Sequence, residues 1–324
     1  MGETKIEWVR GADGAPGKTW NPVRGCSVVS PGCHHCYAMR QAARFSGPGL
    51  PYEGLAVVGR AGPQWTGEVR LVPEKLAEPL SWRKPTTVFV NSMSDLFHEK
   101  LTNEEIAAVF GVMAACPQHV FQILTKRAKR MREWFAWVAA QRGQPPRSVC
   151  SQAASPLVGR SWDFAMHAFA DPPWPLPWLH LGVSVESQKY AAERVPHLLQ
   201  TPAAVRWVSA EPLLEAVRFD HIDADAAGHE WCQIDALAGR QTDMGRPCED
   251  LPARLDWDVC GSESGPGARP FSEDWARSIR DQCQAAGVAF FYKQNTVNGK
   301  KIGTPELAGR TWLEFPAAPA GARA

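Results

Sequence analysis

Three cysteines stand within eleven residues, Cys26, Cys33 and Cys36, in a C-x6-C-x2-C spacing just after Trp20-Asn21-Pro22-Val23. Thiolates grouped so tightly are ligands for soft metals. A four-iron iron–sulfur cluster normally takes four cysteines, so three would leave one iron open to a cofactor or substrate. A structural zinc site needs a fourth ligand. His34 and His35 lie inside the C-x2-C, and no second ligand pair follows nearby. On spacing alone, cluster, zinc and unliganded thiols all stay open.

A second set of reactive side chains follows short apolar runs. Thr86–Val90 leads into Ser92, Ser94 and Asp95, and Val120–Leu124 into Lys126 and Arg127. Leu179–Val183 leads into Glu186, Ala204–Val208 into Glu211, Leu255–Cys260 into Gly261 and Glu263, and Val288–Tyr292 into Lys293. Runs of this composition read as strands. Between them lie helical patterns, such as Thr102-Asn103-Glu104-Glu105 opening an apolar face at Ile106, Val109, Phe110 and Met113. The basic stretch from Lys126 to Arg132 opens another, through Trp134, Phe135, Trp137 and Val138.

Strands alternating with helices pair in parallel through right-handed crossovers. Strand ends 33, 25 and 30 residues apart (Ser92 to Thr125, Ser184 to Ser209, Glu263 to Lys293) match one βα unit each. Two longer steps, of 59 and 54 residues, contain stretches at about 143–177 and 223–252 that read as irregular insertions. The expected fold is an α/β partial (β/α) barrel over residues 1–324 as a single domain. Its ligand face is at the strand C-terminal ends, where Asp95, Lys126, Glu186, Glu211, Glu263 and Lys293 would share one mouth with the cysteines. Polar residues also end strands in general, which accounts for any one of them taken singly.

Composition sets the remaining bounds. In 324 residues, 44% are apolar, and 35 basic residues nearly cancel 34 acidic ones, so no global field favours nucleic acid or membrane. The N-terminal residues lack a signal-type apolar region and no long apolar run appears, so a soluble cytoplasmic protein without membrane partners is expected. Nine cysteines in such a chain do not suggest a disulfide framework. Among fourteen tryptophans, some are expected in the core and some around a flat ligand. His229, Cys232 and Cys248, spaced H-x2-C-x15-C, are candidates for a second zinc site, with Glu249 or Asp250 as a fourth ligand. The default for Cys116, Cys150, Cys260 and Cys283 is buried, inert thiols.

Seven blocks, in order, carry a resemblance. They are Thr4-Lys5-Ile6-Glu7-Trp8, Thr19–Val23, the three-cysteine loop, Ser92-Met93-Ser94-Asp95-Leu96-Phe97-His98, Gln122–Arg127, Ser209–Leu214 and Glu263–Pro270. Together they resemble the phage and prophage three-cysteine-motif protein family, which is similar to radical S-adenosylmethionine (SAM) enzymes and is largely of unknown function. The resemblance implies a [4Fe-4S] cluster on Cys26, Cys33 and Cys36, with SAM on the open iron, and a 5′-deoxyadenosyl radical as the reactive species. It also implies a companion, the three-cysteine-motif partner protein. A phage setting, basic residues at the mouth and many tryptophans suit a nucleic-acid base or nucleotide as substrate, in DNA modification or repair.

The chain departs from the usual radical-SAM pattern in three ways. The first spacer has six residues instead of three, and Tyr37 follows the third cysteine instead of preceding it. Ser92-Met93-Ser94-Asp95 stands where Gly-Gly-Glu usually contacts the SAM amine. Within its own family Gly-Gly-Glu-Ser-Gly becomes Gly261-Ser262-Glu263-Ser264-Gly265. Ser92, Ser94, Glu186, Gly261 and Glu263 are expected at the cofactor, and Asp95, Lys126, Glu211 and Lys293 at the chemistry. The alternative is a zinc- or cluster-stabilised nucleic-acid-binding or interaction protein without catalysis.

Overall fold

The computed structural model describes residues 3–317 apart from 12, 61, 160–173, 224–231, 244–245, 248–250, 252, 266 and 298–299. Its frame is one eight-stranded sheet curled into a half-barrel. In chain order the strands are β1 (Lys18–Trp20), β2 (Thr87–Val90), β3 (Val120–Thr125), β4 (Leu179–Ser184), β5 (Val205–Ala210), β6 (Trp257–Gly261), β7 (Ala289–Val297) and β8 (Lys300–Gly303). Spatial order equals chain order, and every neighbouring pair is parallel except the antiparallel hairpin β7–β8. The six strand-like runs from Thr86 to Tyr292 all become strands of this sheet.

The crossovers are α1 (Tyr37–Arg44), α2 (Asn103–Ala114), α3 (Ala128–Ala139), α4 (Pro146–Val158), α5 (Gln188–Leu199) and α6 (Glu273–Ala286). Helix α2 starts where its pattern demands. The Thr102 hydroxyl accepts from Glu105 N at 3.1 Å and the Glu105 carboxylate accepts from Thr102 N at 2.8 Å, a reciprocal cap.

Among the described residues, both insertions, expected to be irregular, hold regular elements. The first holds α4, which lies on α2 so closely that a Cβ on Gly111 would meet Cys150 O at 2.4 Å. The second forms a small antiparallel sheet of Ile222–Asp223, Cys232–Asp235, Arg240–Asp243 and Arg246–Pro247. Both contribute to the same apolar cluster as the outer face of the main sheet, through Cys150, Ala154, Ile234 and Leu237. Long insertions need buried apolar contacts to offset their ordering entropy, so these took on secondary structure. His229 and Cys248 of the second zinc candidate lie outside the described residues, and Cys232 is buried in a strand.

Strand alternation sends two sets of side chains to opposite faces. The outer set packs under the helices. The inner set, Phe89, Trp207, Trp257, Val259 and Phe291, closes around Trp8 from the N-terminal segment. Trp8 lies 4.8 Å from Phe89 and 4.9 Å from Trp207 between ring centroids, near tilted and edge-on geometries. This aromatic plug is the floor on which the candidate site rests.

One outer-face residue conflicts with its surroundings. Asp258 on β6 is fully buried beside Cys260 and Cys283, and neither carboxylate oxygen has a hydrogen-bond partner among the described residues. Burial pushes its pKa well above the usual value. With a raised folded pKa, stability is fully present below the unfolded pKa and is lost as pH rises toward the folded one. Asp258→Asn is therefore expected to be more stable than wild type by about 1–3 kcal/mol at about pH 8 and equal to it near about pH 4, as read by urea unfolding across pH.

Candidate functional site

The cysteine loop is built by backbone constraints on both sides. Gly25 bridges to Ser94 and has φ +90°. A Cβ there would stand 2.0 Å from Glu68 O, so only glycine lets the chain pass and turn into Cys26. Gly25→Ala, combining left-handed strain with this clash, is expected to cost about 2–4 kcal/mol in denaturant unfolding. Beyond it, Pro31–Cys33 forms a 3₁₀ turn, and Cys36 sits at the N-cap of α1. Gly32 lies against the Glu186 carboxylate, which a Cβ would approach to 3.1 Å.

All three cysteines are free thiols and line one cavity of about 310 Å³ at the C-terminal ends of the strands. Burial pushes the Cys26 thiol up to about 12, reinforced by Asp95 and opposed by Arg127. Cys36 is also raised by burial, against the helix N–H groups of Met39 and Ala38. Among the described residues, no group of three or more His, Cys, Asp or Glu is gathered tightly enough to hold a metal ion.

Ser92, Ser94, Asp95, Lys126, Glu211, Glu263 and Lys293 line the same cavity. Most are tied up. Asp95 accepts from Thr125 Oγ1 at 2.7 Å, Phe97 N at 3.0 Å, Lys126 N at 3.1 Å and Arg127 Nη1 at 3.0 Å. Burial would raise its pKa, but the Arg127 guanidinium and these donors outweigh it and hold the carboxyl below the ordinary value. Glu211 pairs with Lys293 Nζ at 2.6 and 2.8 Å.

Glu263 receives His35 Nδ1 at 2.8 Å and Arg269 Nη2 at 2.6 Å, while Arg269 Nη2 also donates to Pro31 O at 3.0 Å. Burial opposes these contacts, yet they keep the Glu263 carboxyl low. Glu263 thus clips the cysteine loop to the end of β6. Ser92 Oγ donates to Asn21 Oδ1 at 3.2 Å, and Ser94 Oγ donates to Val23 O at 2.9 Å.

Two expected residues fall outside the lining. Glu186 is buried behind Gly32 and pairs with Arg194 at 2.9 Å, and Gly261 is buried in β6 against Gln294. The acids expected to crowd the mouth therefore each have a cation: Arg127, Arg194, Lys293 and Arg269. Lys126 differs. It lines the cavity and no described residue lies in hydrogen-bond or ion-pair contact with its ammonium, though its charge helps keep Glu186 ionised.

Several roles were not evident from the sequence. His35 and Arg269 position the loop, and Ser27 holds Arg127 through Nη2 at 2.7 Å. Asn91 and Trp8 form the wall and floor. Period-two alternation from Phe89 would have put Asn91 on the inner face.

The family described as "Protein of unknown function (DUF5131)" matches residues 3–316, which takes in the cysteine loop and every strand of the half-barrel. The chain belongs to this family. No curated protein and no solved structure matches it. Membership in DUF5131 thus extends over the whole cavity without assigning it a chemistry. Among the described residues, no helix is long and apolar enough to cross a membrane.

Proposed function

We propose that this DUF5131 protein is a radical-SAM-like enzyme that acts on a nucleic-acid base or nucleotide, with Cys26, Cys33 and Cys36 as ligands of a [4Fe-4S] cluster. The observation that carries the reading is the meeting of three free thiols with a nucleoside-sized cavity at the C-terminal end of a parallel half-barrel. The donor set suits the group. Three cysteine thiols lining one cavity are the donor type that an iron–sulfur cluster takes. When bound, the cluster supplies one electron, drawn from an external reductant, that breaks the sulfonium C–S bond of SAM to give methionine and a 5′-deoxyadenosyl radical, which takes a hydrogen atom from substrate.

The chain's own residues supply binding and shielding. Arg127, with Nη1 at 4.0 Å from Cys26 Sγ, lays positive charge beside a thiolate ligand. The N–H groups of Ala38 and Met39 do the same for Cys36. Lys126 offers an ammonium to the carboxylate of SAM or to a substrate phosphate. The aromatic floor of Trp8 and Phe89 keeps water from below.

The test is anaerobic reconstitution with iron and sulfide, reduction with dithionite and addition of SAM. Formation of 5′-deoxyadenosine is expected. Stoichiometric zinc in the purified protein together with no SAM cleavage would overturn the reading in favour of a metal-stabilised binding protein.

A further inference from the structure

The segment 21–71 supplies the three cysteines, Tyr37 and Trp65 to the cavity wall, and its charges are one-sided. Its basic residues are five arginines, Arg24, Arg40, Arg44, Arg60 and Arg70, with no lysine and only two acids, Glu53 and Glu68. Both acids are engaged elsewhere. Glu53 accepts from Gly49 N at 2.7 Å, and Glu68 pairs with Lys100. Among the described residues, none of the five arginines is in ion-pair contact with an acid, whereas the acids lining the cavity each have a cation. The near-neutral total charge conceals this basic lip.

Two of the arginines face each other directly. Val23–Arg24 and Arg70–Leu71 form a short antiparallel ladder in which Arg24 is registered opposite Arg70. Both donate to a single carbonyl, Arg24 Nη1 to Pro51 O at 3.4 Å and Arg70 Nη2 to the same oxygen at 3.0 Å. Like charges directly opposite one another destabilise a ladder. Solvent screening suffices for one exposed arginine, but here two guanidiniums are drawn together on one neutral oxygen. Arg40 and Arg44 repeat the pattern at i, i+4 on α1, where like charges also repel. They reach only Ser264 O and Gln41 Oε1, each at 3.4 Å.

Aromatic rings join this lip to the cavity. Arg24 Cζ lies 5.8 Å from the Tyr52 ring, and Tyr52 lies 6.4 Å from Trp65 between centroids. Trp65 and the exposed Tyr37 both line the cavity. Guanidinium forks match phosphate oxygens, and a cationic groove beside aromatic faces is how single strands are held without regard to sequence.

We infer that this lip binds the phosphodiester backbone of a single-stranded nucleic acid, with Arg24 and Arg70 as central contacts, so that one base of the strand enters the cavity past Tyr37 and Trp65. The inference rests on the nucleic-acid reading of the cavity and narrows the substrate from nucleotide to polymer. A single strand fits because a paired base must leave its stack before it can enter a pocket.

The experiment measures binding of a fluorescent oligothymidylate of about twelve nucleotides to the full chain without added metal, by anisotropy across salt concentrations. Wild type is expected to bind it at least about tenfold more tightly than thymidine 5′-monophosphate. Arg24→Gln combined with Arg70→Gln is expected to reduce the slope of log affinity against log salt by about 0.7–1.4, the share of one to two phosphate contacts on a single strand. Its melting temperature is expected to hold or rise, because the opposed charges are gone. Arg44→Gln leaves the ladder intact and is expected to reduce the slope by about 0.7. Arg83→Gln with Lys84→Gln removes two exposed charges just before β2, at the end of the strand away from the cavity, and is expected to leave the slope unchanged. Tighter binding of oligothymidylate than of oligouridylate assigns the strand to DNA, and the reverse order assigns it to RNA. Failure of the oligonucleotide to bind, equal affinity for the monophosphate, or an equal loss of slope in the Arg83 and Lys84 variant overturns the inference. Because neither metal nor SAM is added, this result and SAM cleavage can fail separately.

Discussion

Cys33→Ala, reconstituted anaerobically with iron and sulfide, is expected to lose its visible charge-transfer absorbance and all 5′-deoxyadenosine formation, while the metal-free protein unfolds within about 0.5 kcal/mol of wild type. The separation follows from where the thiol sits. Cys33 is half-buried at the end of a one-turn 3₁₀ segment, and Ser30 Oγ lies 3.9 Å from its Sγ. On the proposed ligation, removing it takes away a ligand without opening a core cavity. Cys36 would be a poorer choice, because it occupies the N-cap position of α1 beside the Ala38 and Met39 N–H groups, so its loss confounds fold with ligation. A cluster held by only three cysteines, as proposed, would not tolerate losing one of them. Retention of absorbance and SAM cleavage in Cys33→Ala would remove this cysteine from the ligand set.

Arg127→Met is expected to cost about 3–5 kcal/mol of unfolding free energy, because it strips the cation from a buried ion pair and leaves the acid behind. Arg127 is 6% exposed, and its guanidinium reaches three side chains within 3.0 Å. Nη1 meets Asp95 at 3.0 Å, Nε meets both Glu99 oxygens at 2.9 Å, and Nη2 meets Ser27 Oγ at 2.7 Å. One side chain thereby fastens the cysteine loop to the end of β3. Arg127→Lys would keep the charge and lose the fork, so it is expected to recover only part of the loss.

The pH dependence has a definite sign. Asp95 has a folded pKa below its ordinary value, so the pair's contribution is present at neutral pH. It is lost as pH falls through the folded pKa. The acid-side slope of stability is expected to shrink in Arg127→Met, measured by urea unfolding from neutral to acid pH. An unchanged slope would show that the three other donors to Asp95 carry the shift.

The half-barrel was legible because its cues are local. Each strand is a run of β-branched and aromatic residues closed by polar ones, and α2 announces itself through Thr102 and Glu105. Parallel order then follows from alternation and crossover handedness. The regular elements within the insertions were not legible because α4 is held by contact with α2 and the small sheet by its own hairpins, neither of which has a strong periodic signature.

For the site, sequence by itself determined most of the residues that meet, though Glu186 and Gly261 fall outside the lining. Chain direction carries every strand's C-terminal end to one side, so the three cysteines, Asp95, Lys126, Glu211, Glu263 and Lys293 had to arrive together. What they do once there was decided only by the tertiary structure, since partners such as Arg269 for Glu263 and Arg127 for Asp95 come from elsewhere in the chain and satisfaction is a matter of ångströms. Pairing turned most of the expected reactive acids into fasteners. It left without an acid the cations whose free energy still calls for a partner: the Lys126 ammonium and the Arg24 and Arg70 guanidiniums.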